Sequence, residues 1–331
     1  MVDISTKYLG LVLKNPLVAA SSPLTGNLDD AKRLEDAGAS AIVLPSLFEE
    51  TIQHEQKQLE KYVHSQALGH FEADSYHPVP AEYKNELDNY LDHLQSLKSE
   101  LNIPVIASLN GVSNTGWIDY AKELMEAGAD ALELNVYYVA ANHNQTGVEV
   151  ERRYLDLLKA LRQNINIPVS MKLSSQFSSV SNMVKQLQTE GADGVVLFNR
   201  FYQPDIDLET LKLKPQLELS TPSEALMRVR WIGMLRGRVE LSLAANGGFH
   251  TVESIIKALL AGADAVYLCS VLLHKGPAYC ELLLKQLSDW LIEREYESVK
   301  QMQGSVSQLC AIDPASYEHS NYIDVINSYK R

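Results

Sequence analysis

Short runs of consecutive apolar residues alternate along the chain with longer stretches whose apolar positions recur every three to four residues. The runs fall at residues 17–20, 41–44, 105–108, 131–135, 169–173, 194–198, 241–245 and 265–268. Brief and near-continuously apolar, they read as strands buried on both faces. The periodic stretches at Leu28–Ala37, Trp117–Ala127, Val150–Arg162, Val180–Thr189, Ser223–Leu235 and Val252–Leu260 read as amphipathic helices. Asn27, Thr115, Ser179 and Thr251 are their N-cap candidates. Two phrases recur at the joints. Ala37-Gly38-Ala39, Ala127-Gly128-Ala129-Asp130, Glu190-Gly191-Ala192-Asp193 and Ala261-Gly262-Ala263-Asp264 each close a helix and lead into an apolar run, as a glycine past a helix end does when a tight loop follows. Asn-Ile-Pro-Val, at 102–105 and 166–169, opens two further runs with Pro where a missing N–H is tolerated.

Strict alternation of strand and helix predicts a parallel sheet. Eight such units in a chain of 331 residues suit an α/β fold of the (β/α)8 TIM-barrel type, a single domain over 1–331, since that barrel takes about 250 residues before insertions. A doubly wound open sheet is the alternative, but no GxGxxG follows the first strand. Three segments lie outside the repeat. TKYLGLVL at 6–13 predicts an N-terminal hairpin closing the barrel bottom. Residues 46–100 form a long connection after the second strand, with His54, His64, His70 and His77, and end in a helix near Tyr83–Ser99. A connection this long reads as a lid, a binding loop or a subunit contact. Residues 294–331 form a polar, tyrosine-containing C-terminal extension, expected to be short and helical.

Composition narrows the function classes. Apolar residues at 46% and charged residues at 21% mark a folded globular chain. A formal net charge of −13 argues against a nucleic-acid backbone as partner. Cys269, Cys280 and Cys310 include no CxxC, the N-terminus has no apolar targeting segment, and no apolar run approaches a membrane span. A cytoplasmic chain without disulfides or a membrane partner is expected. The histidines lack HxH or HxxxH spacing, so no metal is expected. Cys280 reads as helix core, and Trp117, Trp231 and Trp290 as packing.

In such a barrel, ligands meet the residues just past the C-terminal ends of the strands. Those ends carry Ala20-Ser21, Pro45-Ser46, Ser108-Leu109-Asn110, Asn135-Val136-Tyr137-Tyr138, Lys172, Asn199-Arg200, Asn246-Gly247-Gly248 and Cys269-Ser270. Amides and a lysine on buried runs require partners, and a bound polar ligand supplies them. The glycine pair after the seventh strand and Cys269-Ser270 after the eighth fall where barrels hold phosphate on backbone N–H groups. A plain tight turn is the other reading of the glycine pair. Lys172 brings an ammonium to the mouth, where it can neutralise charge developing on an electron-accepting ring or an enolate. The other reading of Lys172 is a solvent-facing strand end.

Taken in order, Asn15-Pro16, Ala19-Ala20-Ser21, Ser108-Leu109-Asn110-Gly111, Glu133-Leu134-Asn135, Met171-Lys172-Leu173, Phe198-Asn199, Asn246-Gly247-Gly248 and Leu273-His274-Lys275-Gly276-Pro277 resemble the dihydroorotate dehydrogenase family, class 1 type. The resemblance runs from residue 6 to about 304, nearly the whole chain. It implies FMN at the barrel mouth and hydride transfer between a small anionic substrate and the flavin. It also implies a homodimer, with 46–83 or the C-terminal extension as candidate interface. By that resemblance Ala20, Ser21, Ser46, Asn110, Asn135, Lys172, Asn199, Gly247, Gly248 and Ser270 line the flavin. Asn246 to Gly248 and Cys269-Ser270 take its phosphate, and Lys172 stands near the N1/O2 edge to stabilise the reduced anion. Asn135 and Asn199 also face the substrate. The electron acceptor is not named by the sequence, and with no iron–sulfur ligand set any such centre belongs to a partner chain.

The departures from the family pattern lie on the substrate side. Tyr138 stands where the family carries a Cys or Ser base, Ala140 where it carries a substrate-binding Asn, and Pro45 where it carries a Lys. The Asn-Ser pair after the sixth strand is Asn199-Arg200. Arg200 is a candidate substrate-binding residue, because a guanidinium grips carboxylate or phosphate in a bidentate way; a surface salt bridge with Asp205 or Asp207 is the other reading. Tyr138 and His143, on one loop, are the base candidates, alongside Tyr138 as a packing aromatic and His143 as an idle exposed histidine. A phenol with its usual pKa near 10 needs strong tuning for such work, whereas a histidine is suited to it. The chain is thus expected to be an FMN-dependent oxidoreductase acting on dihydroorotate or a related acid. The rivals are a flavin-free phosphate-binding isomerase or aldolase and a non-catalytic flavin-binding protein.

Overall fold

The computed structural model describes residues 2–55, 57–58, 84–111, 114–318 and 326–327, with the side chains of 114 and 115 excepted. The N-terminal hairpin forms as expected, β1 (Thr6–Tyr8) antiparallel to β2 (Leu11–Leu13). Eight strands then close into a parallel barrel: β3 (Leu17–Ala19), β4 (Ala41–Phe48), β5 (Val105–Asn110), β6 (Ala131–Asn135), β7 (Val169–Leu173), β8 (Gly194–Leu197), β11 (Ser242–Asn246) and β12 (Ala265–Leu268), which returns to β3. A surface hairpin, β9 (Asp205–Asp207) with β10 (Lys212–Lys214), interrupts the sequence after β8; it lies outside the expected strands, although Asp205–Leu208 and Leu211–Lys214 alternate polar and apolar residues. The fold is the (β/α)8 barrel, and the open-sheet alternative falls because β12 pairs with β3.

Helices α1 (Leu28–Asp36), α2 (Glu86–Glu100), α3 (Asn114–Glu126), α4 (Gly147–Arg162), α5 (Val180–Thr189), α6 (Ala225–Leu235) and α7 (Val252–Ala261) sheathe the strands. Three more follow β12: α8 (Ser270–Lys275), α9 (Tyr279–Glu293) and α10 (Val299–Met302). Asn27 caps α1, accepting from the N–H groups of Asp29 and Asp30, and Ser179 caps α5. Thr251 stands at the N-cap of α7. Thr115 is not a cap: α3 begins at Asn114, so its backbone is already helical. β4 also outruns the expected 41–44. Its ladder to β5 shifts register between Val43 and Ser46, where Pro45 offers no N–H, and then resumes to Phe48. His64, His70 and His77, with 59–83 of the long connection, lie outside the described residues.

The barrel has to fill its own lumen, and the sequence does so by size. Ala41, Ala131, Ala244 and Ala265 face inward low on their strands and leave room for Tyr8, Leu9 and Leu13 of the hairpin. Gly194 belongs to the same accommodation, since a Cβ there would come within 2.6 Å of a Leu9 methyl. The outward residues of the same strands, such as Ile42, Leu132, Met171 and Val266, pack against the helices.

The recurring aspartate clasps neighbouring strands at the foot of the barrel. Asp130 Oδ2 accepts from the Val105 N–H at 2.7 Å, Asp193 Oδ2 from Val169 at 2.8 Å and Asp264 Oδ2 from Leu243 at 2.7 Å. The aspartate before one strand thus fixes an N–H at the start of the strand before it. Asp264 is the most buried and also accepts from Arg236 and Gln303. Asp264→Ala leaves a guanidinium and a strand N–H without their acceptor, and is expected to lower stability by about 3 kcal/mol, measured by urea unfolding.

Candidate active site

Side chains that point inward near the upper ends of the strands are polar. Ser46, Ser108, Asn135 and Asn199 form a chain of hydrogen bonds across the mouth. Ser46 and Ser108 hydroxyls lie 2.8 Å apart, and Asn135 Nδ2 donates to Ser46 Oγ at 3.2 Å. Asn199 Nδ2 donates to Asn135 Oδ1, while Asn199 Oδ1 accepts from the Arg200 N–H. Four strand ends are thereby tied together by groups that would otherwise be orphaned. Lys172, buried at the top of β7, donates from Nζ to Glu133 Oε1 at 3.1 Å.

Beside this chain opens a cleft. Of the expected cofactor residues it brings together Ala20, Ser21, Lys172, Asn199, Asn246, Gly247, Gly248, Cys269 and Ser270. Ser46 and Asn135 sit behind them, linked through Asn199, and Asn110 is buried on β5 away from the cleft. Arg200 lines the cleft, but Tyr138 and His143 do not. The Tyr138 hydroxyl donates to Gln145 and the Arg153 guanidinium stands 4.1 Å over its ring. His143 is exposed. Their loop nevertheless abuts the cleft. Tyr137 packs on Phe201 with centroids 4.5 Å apart, and its hydroxyl accepts from the N–H of Tyr202, a cleft residue.

The far end of the cleft is suited to an anion. Gly247 and Gly248 carry φ values of +96° and +91°, and a Cβ on Gly248 would lie 2.3 Å from Ala225 N, so neither conformation nor space admits a side chain there. The Ser220 hydroxyl donates to Ser270 Oγ at 2.8 Å and accepts from the Gly248 N–H at 3.3 Å. His250 Nε2 lies 3.4 Å from the same hydroxyl. Burial, the largest cause, holds His250 below the ordinary histidine range. Beneath the glycine pair Arg228 is buried and donates from Nε to Asn246 O at 3.0 Å.

Glu224 lies between two guanidinium groups, 3.7 Å from Arg200 and 3.5 Å from Arg228. The partner of Arg200 is therefore Glu224 and not Asp205 or Asp207. The other terminal nitrogen of Arg200, NH1, is buried with no hydrogen-bond partner. Cys269 has its thiol pushed up by burial, which suits a packing residue and not a nucleophile. Trp117 and Cys280 are core residues.

Sequence reasoning missed Glu133, Ser220, Glu224, Arg228, His250 and Tyr267. Glu133 and Tyr267 had a signal, being polar residues at inward positions of otherwise apolar strands. Ser220 and Glu224 had none, since they arrive on the connection between β10 and α6.

This arrangement defines a (β/α)8 barrel enzyme whose mouth combines a buried lysine, strand-end amides and a glycine-lined anion site. The family model of dihydroorotate dehydrogenase matches residues 79–291. The dihydroorotate dehydrogenase B (NAD(+)) catalytic subunits of Thermoplasma acidophilum and Thermoplasma volcanium are 25% and 26% identical to the chain, each across 92% of it and across 99% and 98% of their own length. The protein of the same designation from Listeria monocytogenes serovar 1/2a is 28% identical over 61% of the chain and 67% of its own length. The chain belongs to the dihydroorotate dehydrogenase family and is an oxidoreductase of that kind. Among the described residues no helix is long and apolar enough to cross a membrane, and no group of three His, Cys, Asp or Glu is arranged to hold a metal ion.

Gly248→Ala is expected to destabilise the protein by about 2 kcal/mol or more, because positive φ and a backbone clash act together. Thermal unfolding of the purified variant measures it.

Proposed function

We propose that the chain holds FMN at the barrel mouth and oxidises a small anionic acid, dihydroorotate or a relative of it. The observation that carries this reading is the convergence of Lys172, Asn199, the 246–248 turn and Ser270 on one cleft. The residues fit the group. The glycine end of the cleft admits backbone close to an anion, and the buried Lys172 ammonium borders the same cleft. Bound FMN supplies a two-electron acceptor for a hydride leaving substrate carbon. In this reading Gly247, Gly248, Ser220 and Ser270 hold the phosphate, and Ala20, Ser21 and Asn199 border the ring. Lys172 sets its ammonium against the polar edge where negative charge develops on reduction.

The same reading gives Arg200 to the substrate. Its buried, unpartnered nitrogen is a donor waiting for an acceptor, and Glu224 steadies the guanidinium from the other side. Tyr138 and His143 remain the base candidates, on the loop that reaches the cleft through Tyr137. The names of the relatives attach NAD(+) and the term catalytic subunit to those proteins; by that likeness we propose that electrons leave this chain for a separate acceptor.

Purified protein is expected to be yellow and to release FMN on denaturation, and anaerobic dihydroorotate or one of a panel of related acids is expected to bleach it. A colourless protein that takes up no added FMN contradicts the reading. Arg200→Ala is expected to raise KM for the bleaching acid about 10- to 100-fold, as loss of a charged hydrogen bond does, with FMN content unchanged. An unaltered KM for every substrate ends the assignment of Arg200. General-base loss costs about 10²–10⁴-fold in rate, so the flavin-reduction rates of Tyr138→Phe and His143→Gln decide which residue, if either, serves as base.

A further inference from the structure

Below the mouth, a carboxylate occupies a position that hydrophobic packing alone would not give it. Glu133 points into the lumen from the middle of β6 and is fully buried. Its Oε1 accepts from Lys172 Nζ at 3.1 Å, and its Oε2 has no hydrogen-bond partner. Lys172 lines the cleft, whereas Glu133 does not. The ammonium is therefore the upper member of the pair and the carboxylate the lower one.

The groups packed around the pair come from every side of the lumen. Tyr267 rises from β12, Tyr8 from the hairpin and Tyr90 from α2, while Cys269 follows β12. The Tyr8 and Tyr267 hydroxyls are 3.0 Å apart. Burial pushes all three phenols and the Cys269 thiol above their ordinary ranges, so these four stay neutral around pH 7. Asp264, beyond Tyr8 at the barrel foot, is paired with Arg236. Glu133 is thus the counter-charge within bonding distance of Lys172. A buried ammonium without such a partner sheds its proton, because burial disfavours the charged form.

We propose that Glu133 is a positioning residue, which keeps Lys172 protonated and aimed at the cleft floor and so sets the redox potential of the bound flavin. The inference rests on the FMN reading above and concerns a different residue. Removing the carboxylate has two consequences. While Lys172 stays charged, the mouth gains net positive character, and reduction of the ring becomes easier. As pH rises, the unpartnered lysine loses its proton earlier than in the wild type, and that gain disappears.

The test is potentiometry of FMN-loaded wild type, Glu133→Gln and Lys172→Met across pH 6–10. Glu133→Gln is expected to lie above wild type at the acid end. It is then expected to pass through an inflection absent from both other proteins, and to reach at the alkaline end the potential of the double variant Glu133→Gln/Lys172→Met, which likewise carries no charge at either position. A flavin-loaded Glu133→Gln that follows wild type at every pH overturns the proposal. If Glu133→Gln does not hold its fold, the double variant Glu133→Gln/Lys172→Met is expected to recover folding and flavin, since the fault is an unpaired buried charge; a double variant no better than the single one overturns it equally. Wild-type protein that takes up no FMN sinks the cofactor reading, and this inference with it. Loaded proteins with parallel pH curves sink only the inference.

Discussion

A closed parallel barrel sends every second side chain of each strand into one narrow lumen, and what fills that lumen fixes what its mouth can do. Here the lower part is filled by alanines and by the tyrosine and leucines of the N-terminal hairpin. The upper part is filled by groups that need hydrogen bonds. Lys172 and Glu133 are its only ionised contact among the described residues of β6 and β7, at 3.1 Å. Breaking such a pair from one side leaves a charge without water, which is far more disruptive than removing both members. The ion pair therefore binds two neighbouring strands and at the same time delivers an ammonium to the cleft.

The rim repeats this economy of partners. Asn135 and Asn199 satisfy each other and Ser46, and Asn246 Nδ2 donates to the Phe198 carbonyl. Arg228 braces the glycine turn from below while Glu224 joins it to Arg200. Positions around the glycine turn and along the asparagine chain are well supported by such contacts. Positions on the substrate side carry the departures from the family pattern: Pro45, Tyr138, Ala140 and Arg200.

Much of the fold was legible because the apolar period changes cleanly between strand and helix, and because glycine marks the joints. All eight barrel strands and the closing hairpin follow from those signals. The exceptions have physical reasons. Pro45 ended the apolar run of β4, yet the strand continues beyond a register shift. Thr115 resembled a cap, but the helix starts before it. The β9–β10 ribbon does alternate polar and apolar residues, but Ile206 and Leu213 are exposed, so its alternation marks no face of the core and lacks the continuous apolar run of the barrel strands. Of the site, the residues at strand ends could be found by counting along strands. Ser220 and Glu224 could not, because a long connection folds back to bring them in. Glu133 was hidden within an apolar run, where its charge was the signal that went unweighed.

The central claim is that the polar rim, with its lysine and glycine turn, exists to hold a flavin. A crystal structure of the protein grown or soaked with FMN tests it most directly. The account predicts the phosphate between Gly248 and Ser270 and the polar edge of the ring within hydrogen-bonding distance of Lys172. Density for the flavin at any other place, or an unaltered cleft in crystals saturated with it, contradicts the account.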